Sequence, residues 1–404
     1  MTRIYDNSVR IAAASLIVGA VWQFAGAASP AWADEPAAAA APAEEEKPSA
    51  MSSPSMTGPL VANPKPMSFE LGPIGQIYTT GAITTMGFVQ SNHFAGDHDY
   101  RFDGNGHLIF QKTDGIAQFY AQFGAYSFPA LGAPYFTTNR TTGDSFGFFP
   151  VGYAKIAPTD EFSIQFGKLP TLIGAEYAFT FQNMNVHRGL LWNQEPIVSR
   201  GIQGNYTLGP LAFSVSLNDG FYSSNYNWIS GSATYTINKE NTLALVAGGN
   251  FGTTTKIGFA TPLAQNNSRV FNIIYTYNSA PWTITPYFQY TNVPSNTKIG
   301  IVSDASTYGG ALLVNYAFND NFSLAGRGEV IGASGSAAAP NLLYGPGSNA
   351  FSFTLTPTYQ EGIFFIRGEG SFVQANSTTA GFAFGRTGGA TSQARLVIEA
   401  GVIF

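Results

Sequence analysis

From about Gly75 to the end of the chain, apolar and polar residues alternate with a period of two. That period predicts strands with one greasy and one wet face. Leu211, Phe213, Val215 and Leu217 alternate with Ala212, Ser214, Ser216 and Asn218. Ser230, Ser232, Thr234 and Thr236 face away from Ile229, Gly231, Ala233 and Tyr235. Ser352, Thr354, Thr356 and Thr358 oppose Phe351, Phe353, Leu355 and Tyr359, and Gln118, Tyr120 and Gln122 oppose Phe119, Ala121 and Phe123. The final stretch, residues 392–404, sets Leu396, Ile398, Ala400, Val402 and Phe404 against Gln393, Arg395 and Glu399. Sixteen such segments are read, centred near residues 82, 109, 122, 153, 165, 204, 215, 233, 246, 273, 286, 312, 326, 354, 368 and 398.

Their connections alternate in length. Short ones fall at 114–115, 158–161, 209–210, 238–241, 278–281, 319–321 and 360–362; the longer ones include 91–104, 129–147, 171–199, 252–268 and 374–391. Short turns at one end and long loops at the other predict an all-β fold: a transmembrane antiparallel up-and-down β-barrel of about sixteen strands. A barrel of that size encloses a water-filled lumen. Aromatic residues gather beside the short turns (Phe162, Tyr206, Tyr235, Tyr277, Trp282, Phe318, Phe322, Tyr359 and Phe404), as expected at the level of lipid headgroups. Pro286 and Pro357 sit inside predicted strands and cannot donate a ladder bond, so local bulges are expected there, and a count of fourteen to eighteen strands stays open.

Composition sharpens this picture. Charged residues are only 11%, while Gly (45), Phe (33) and Tyr (20) are abundant. Past the N-terminus no apolar run approaches the roughly 20 residues of a membrane helix. The net charge of −5 carries no nucleic-acid footprint, and the absence of cysteine excludes disulfides and thiolate metal sites. Residues 1–33 read as a secretory signal, with Arg3 and Arg10, an apolar stretch at 11–21, and Ala31-Trp32-Ala33 as the cleavage site. Residues 34–66, rich in Ala, Pro and Glu, are expected to be a disordered periplasmic tether, which places the barrel at 67–404.

The wet face is mostly Ser, Thr, Asn and Gln, with a few charges. Arg327 and Glu329, Arg367 and Glu369, and Arg395 and Glu399 each share an inward face. On the lipid face such charges would cost about 2–4 kcal/mol at mid-membrane, so they belong to the lumen. They either line it or brace its wall with ion pairs. The longest gap, 171–199, holds Glu176, His187, Arg188, Trp192 and Glu195, and is too aromatic for plain disorder.

Around that gap stand Phe166-Gly167-Lys168, Gly174, Glu176, Asn183, Asn185, Arg188, Leu191-Trp192, Glu195-Pro196 and Arg200-Gly201. The region resembles the corresponding segment of the OmpL-like β-barrel porins, specifically over about 166–204 and in architecture over 67–404. The chain end also resembles the closing strand of bacterial outer-membrane barrels, in which a terminal Phe guides assembly. The resemblance implies a passive diffusion channel for small hydrophilic solutes in the outer membrane of a Gram-negative bacterium, with 171–199 folded inward as a constriction loop. Together with the charge parity of the strands, this makes the expected lining Lys168, Glu176, Arg188, Glu195, Arg200, Arg327, Glu329, Arg367, Glu369, Arg395 and Glu399. By analogy with general porins the resemblance implies a homotrimer, with lipid and lipopolysaccharide around it and the barrel-assembly machinery recognising the strand that ends in Phe404. A carbohydrate- or siderophore-selective channel is the nearest alternative, with Tyr177, Phe179 and Trp192 as sugar-contacting aromatics. An outer-membrane adhesin or structural anchor is the alternative of another class. Lys168 falls on the lipid-facing parity of its strand, which puts it at the rim or beyond a bulge.

Catalysis and cofactors find little support. No spacing pairs the four histidines with a nucleophile, and phosphate-loop and dinucleotide motifs are missing. No cofactor and no metal is expected. His93, Asp97, His98 and Asp99 could hold a divalent cation, but read first as a solvated outer loop.

Overall fold

The computed structural model describes residues 56–404; the expected signal at 1–33 and the first part of the expected tether lie outside the described residues. A four-residue strand, β1 (Met67–Glu70), precedes the barrel. The wall begins with β2 (Gln76–Gln90), β3 (Tyr100–Lys112), β4 (Ala117–Ala125), β5 (Val151–Ile156) and β6 (Phe162–Pro170). It continues through β7 (Val198–Leu208), β8 (Leu211–Asn218), β9 (Trp228–Thr236), β10 (Asn241–Asn250) and β11 (Arg269–Ser279). The circuit is completed by β12 (Trp282–Val293), β13 (Ala305–Ala317), β14 (Phe322–Gly335), β15 (Asn349–Glu361), β16 (Phe364–Asn376) and β17 (Ser392–Ile403).

Each strand from β2 to β17 pairs antiparallel with the next, and β17 returns to β2 with Arg395 opposite Gln90 and Ile403 opposite Ala82. Sixteen strands therefore close on themselves and leave no open edge. Phe404 completes the seam: its N–H donates to the Gly81 carbonyl at 2.9 Å and its carbonyl accepts from Gly81 N–H at 2.8 Å. Just beyond it, β1 pairs with the start of β2, Met67 opposite Thr79.

The expected alternation holds around the wall. Val330, Phe351, Phe353, Leu355, Ile366 and Ile398 are exposed on the outside, whereas their neighbours Glu329, Ser352, Thr354, Thr356, Arg367 and Glu399 are buried within. Trp282, Tyr316, Phe318 and Phe322 form a chain of ring contacts beside two neighbouring short turns, edge-on except for the stacked Phe318–Phe322 pair. Charge on the outer face should be costly. Leu355→Arg is expected to destabilise the barrel by about 2–4 kcal/mol, measured by denaturant unfolding from lipid vesicles.

The two prolines are accommodated without the expected bulges. On β12 the pairs with β11 run from Ile274 opposite Tyr287 directly to Tyr277 opposite Ile284, and on β15 the pairs with β16 run from Leu355 opposite Gly370 to Thr358 opposite Arg367. The register is unchanged across both gaps. A proline that donates nothing interrupts the ladder on one side, while Pro286 and Pro357 keep partners (Leu312 and Leu324) on the other.

The interior is packed rather than empty at mid-height. Wall residues and the long loops form two main apolar clusters, one including Ala82, Ile109, Tyr120, Phe179 and Phe181, the other Met184, Leu190, Leu191, Leu313 and Ile331. Leu60 belongs to the first cluster. Part of the expected tether, around Leu60, thus reaches into the barrel, where Leu60 finds burial while its apolar neighbour Val61 stays exposed.

Candidate functional site: the loop across the lumen

The connection between β6 and β7, residues 171–197, folds into the lumen. Two short 3-10 turns, Thr180–Gln182 and Leu191–Gln194, let it reverse direction, and every residue from 179 to 192 is buried. Its backbone has few partners of its own, so wall side chains supply them.

Three carboxylates and two arginines carry most of that load. Glu369 on β16 accepts from Val186 N–H at 2.5 Å, His187 N–H at 3.0 Å and Thr356 Oγ1 at 2.9 Å, and its Oε1 lies 2.7 Å from His187 Nδ1. Glu329 on β14 accepts from Leu190 N–H at 3.0 Å and from Ser352 Oγ at 2.6 Å. Arg327, two residues away, donates to Glu176 at 2.7 Å and to the His187 carbonyl at 2.6 Å. Arg367 donates to Glu399 at 2.6 Å and to the carbonyls of Thr180 (2.6 Å) and Asn183 (2.9 Å). Thr180 Oγ1 in turn donates to Glu399 at 2.6 Å. Further along, Asn185 donates to Thr356 at 2.7 Å, and Gln289 on β12 donates to the Leu191 carbonyl at 2.9 Å. The approach is close: a Cβ on Gly189 would fall 1.9 Å from the Glu329 carboxylate, so a side chain there would have to displace that carboxylate from Leu190 and Ser352.

A second inward loop, residues 126–150, lies against the first. Leu131 N–H donates to the Arg188 carbonyl and Arg188 N–H to the Pro129 carbonyl, at 2.9 and 3.0 Å. Arg395 on β17 holds this layer by donating to the carbonyls of Ala130 (2.6 Å) and Ala133 (2.8 Å). The Arg188 guanidinium sits 5.2 Å from the Trp192 ring and 5.9 Å from the Phe128 ring. Burial lowers its pKa to about 10. Burial also lowers the His187 imidazole, against the pull of its bond to Glu369. Glu195 is buried with neither carboxylate oxygen hydrogen-bonded. Desolvation, and then the nearby Glu176 and Glu329, push its pKa well above the usual carboxylate range.

The site therefore gathers Glu176, Arg188, Glu195, Arg327, Glu329, Arg367, Glu369, Arg395 and Glu399, most of them tied to one another or to loop backbone. Lys168 and Arg200 lie elsewhere. They pair across β6 and β7 on the outward parity, with Phe166 and Ile202 as outer-face neighbours. Lys168 donates to the carbonyls of Phe146 and Phe149, and Arg200 to Asp219 and Ser224. Gly167 and Gly201 hold the inward positions between them, which is why these two cations cannot face the lumen. Phe179 and Trp192 are packed among other rings, Phe179 with His107, Tyr126 and Phe181, and Trp192 with Phe128; Tyr177 is half-buried. In the outer loop, His93 meets Asp99 at 2.7 Å and Arg386 at 2.9 Å, while Asp97 accepts from Gln90, the His98 N–H and the Tyr135 N–H. Among the described residues no group of three or more His, Asp or Glu is placed to hold a metal ion.

Below the loop, towards the short turns, the lumen face of β7–β10 is open to water. Asn205, Ser214, Ser232, Thr234 and Thr242 are partly exposed there, and Thr207 and Thr236 are exposed. Lys155 on β5 faces the same space opposite Gln118 and Gln165 and makes no ion pair among the described residues. Sequence reasoning passed over it, although its parity with Tyr153 and Val151 was available to find it.

A family model described as "Putative beta-barrel porin-2, OmpL-like" matches residues 76–404. Solved structures with the same fold include the outer membrane channel DcaP of Acinetobacter baumannii, at 10% identity and TM-score 0.55, covering 83% of this chain and 99% of that one. The anion-selective porin from Comamonas acidovorans matches at 12% identity and TM-score 0.54, over 81% of this chain and 99% of that one. OmpT of Vibrio cholerae matches at 11% identity and TM-score 0.55, over 84% and 100%. At these identities the likeness is one of fold. No curated protein matched the sequence.

Proposed function

The chain belongs to the OmpL-like β-barrel porin family of the Gram-negative outer membrane, and from that premise we propose that it is a narrow, non-catalytic channel for small hydrophilic solutes, constricted by residues 171–197. The observation that carries this reading is the asymmetry of the lumen. Polar ties from the loop run to β11, β12 and β14–β17, while β7–β10 present a wetted, uncharged Ser/Thr/Asn surface. Solutes then travel along that neutral wall, past a constriction whose charges are spent mostly on one another and on loop carbonyls. Weak ion preference follows, with Lys155 as the one lumen cation of this stretch that no carboxylate offsets.

Lys155→Glu tests the route. Reversing one charge a few ångströms from a permeating ion in water-like surroundings is worth roughly 1–2 kcal/mol. The cation-to-anion permeability ratio is expected to rise several-fold, read as a shift in reversal potential under a salt gradient. An unchanged reversal potential would move the route away from β5.

Assembly is part of the same proposal. Phe404 at the seam is the recognition end for the barrel-assembly machinery. Lys168 and Arg200, on the outer wall at the long-loop end, suit the anionic headgroups of lipopolysaccharide. The adjoining groove, of about 680 Å³ and lined by Phe149, Phe166, Ile202, Leu217 and Tyr226, suits packing within a homotrimer.

A further inference from the structure

The segment just before β1 enters the lumen from the short-turn end and is fixed at both of its own ends. At the floor, Val61 N–H donates to Gln360 Oε1 at 2.8 Å, and Gln360 Nε2 donates back to the Val61 carbonyl at 2.9 Å. Gln360 closes β15 beside a short turn, so this clamp sits at the mouth of the barrel. At the ceiling, Thr57 N–H and Oγ1 both donate to the Gln182 carbonyl, at 2.9 and 3.3 Å. Gln182 and Asn183 belong to the constriction loop, and Asn183 O is also the acceptor that Arg367 uses.

Between the two ends, Leu60 is 2% exposed and packs in one cluster with Ala82, Ile109, Phe365 and Ile403 of the wall and Phe179 and Phe181 of the loop. Gly58 lies so near the loop backbone that a Cβ would stand 2.6 Å from Asn183 O. A segment that merely drifted beneath the barrel would bury no leucine and would not bring a glycine against a carbonyl. The contacts instead span wall, floor and loop together.

We infer that residues 57–61 are an intramolecular bolt: seated, they wedge the constriction loop against the wall from below and hold the channel at low conductance, and their withdrawal opens it. This rests on the channel reading above. Leu60 leaving its cluster would uncover Phe179 and Phe181 on their lower side, and losing Thr57 would return the Gln182 carbonyl to water. The loop would then keep its lateral ties, most of them to β14–β17, and could swing towards those strands.

The chain has no cysteine, so a cysteine pair gives a clean test in the full-length protein. Val61→Cys with Gln360→Cys is cross-linked by a short bis-methanethiosulfonate, which forms a disulfide with each thiolate and releases methanesulfinate, and is recorded in a planar bilayer before and after reduction. The linked channel is expected to stay at low conductance, and reduction to raise the open-state current several-fold, since the substitutions also remove the natural amide clamp. Leu60→Asp, without any cross-link, should reproduce the reduced behaviour. Failure of the pair to cross-link overturns the seat at Gln360. Equal, non-zero currents before and after reduction overturn the bolt while leaving the channel reading intact. Absence of current in both states overturns the channel reading and the bolt together.

Discussion

Glu369→Ala is expected to free the constriction loop and raise single-channel conductance several-fold while leaving the barrel closed. One carboxylate serves two consecutive loop amides, the His187 ring and Thr356. Deleting it leaves the Val186 and His187 N–H groups buried without acceptors. Each such orphan costs about 1–3 kcal/mol, and the loop escapes that cost by moving into water. The wall has no comparable stake, because β16 keeps its backbone ladders to β15 and β17. The measurable signature is larger and noisier current from a protein whose heat-modifiable electrophoretic mobility is unchanged. Glu369→Gln retains one acceptor oxygen and should lie between wild type and Ala. A conductance unchanged in Glu369→Ala would mean that the other ties, from Arg327, Glu329 and Arg367, hold the loop without Glu369.

Arg367→Ala should act on both wall and loop. Its guanidinium ties β16 to Glu399 on the closing strand and also holds the carbonyls of Thr180 and Asn183. Removing one partner of a buried ion pair strands the other, at a cost of about 3–5 kcal/mol. Stability to denaturant should therefore fall by about that amount, with conductance rising as in Glu369→Ala. The double variant Arg367→Ala with Glu399→Ala should recover part of the loss, since neither charge is then left alone. Additive losses in that cycle would show that the pair is not coupled.

The wall was legible in the sequence because a period of two is imposed by lipid on one face and water on the other. The segment read near residue 82 is β2 (76–90), that near 233 is β9 (228–236), and that near 398 is β17 (392–403). Charge parity placed Arg327, Glu329, Arg367, Glu369, Arg395 and Glu399 inside for the same reason. The interior was less legible. Loop residues obey no period, so their partners depend on where the chain crosses the lumen, and Glu176, Arg188 and Glu195 could be gathered but not paired. Lys168 was flagged by parity, yet Arg200 follows it to the outer face only through the pairing of β6 with β7. The bolt is not legible for a different reason: Leu60 and Val61 form too short an apolar pair in a Pro- and Ser-rich stretch to set a period, and composition averages them away. Pro286 and Pro357 suggested bulges because a proline was weighed by strand, whereas its cost falls on one ladder only.

Single-channel recording of the full chain in a planar bilayer, with a panel of sugars added, tests the central claim most directly. A channel bounded by a neutral wall and a braced loop should pass steady current of weak ion selectivity, with no sugar-specific block. A correctly folded barrel that carries no current under any condition would contradict it, and would leave surface loops and wall as the parts of an anchor.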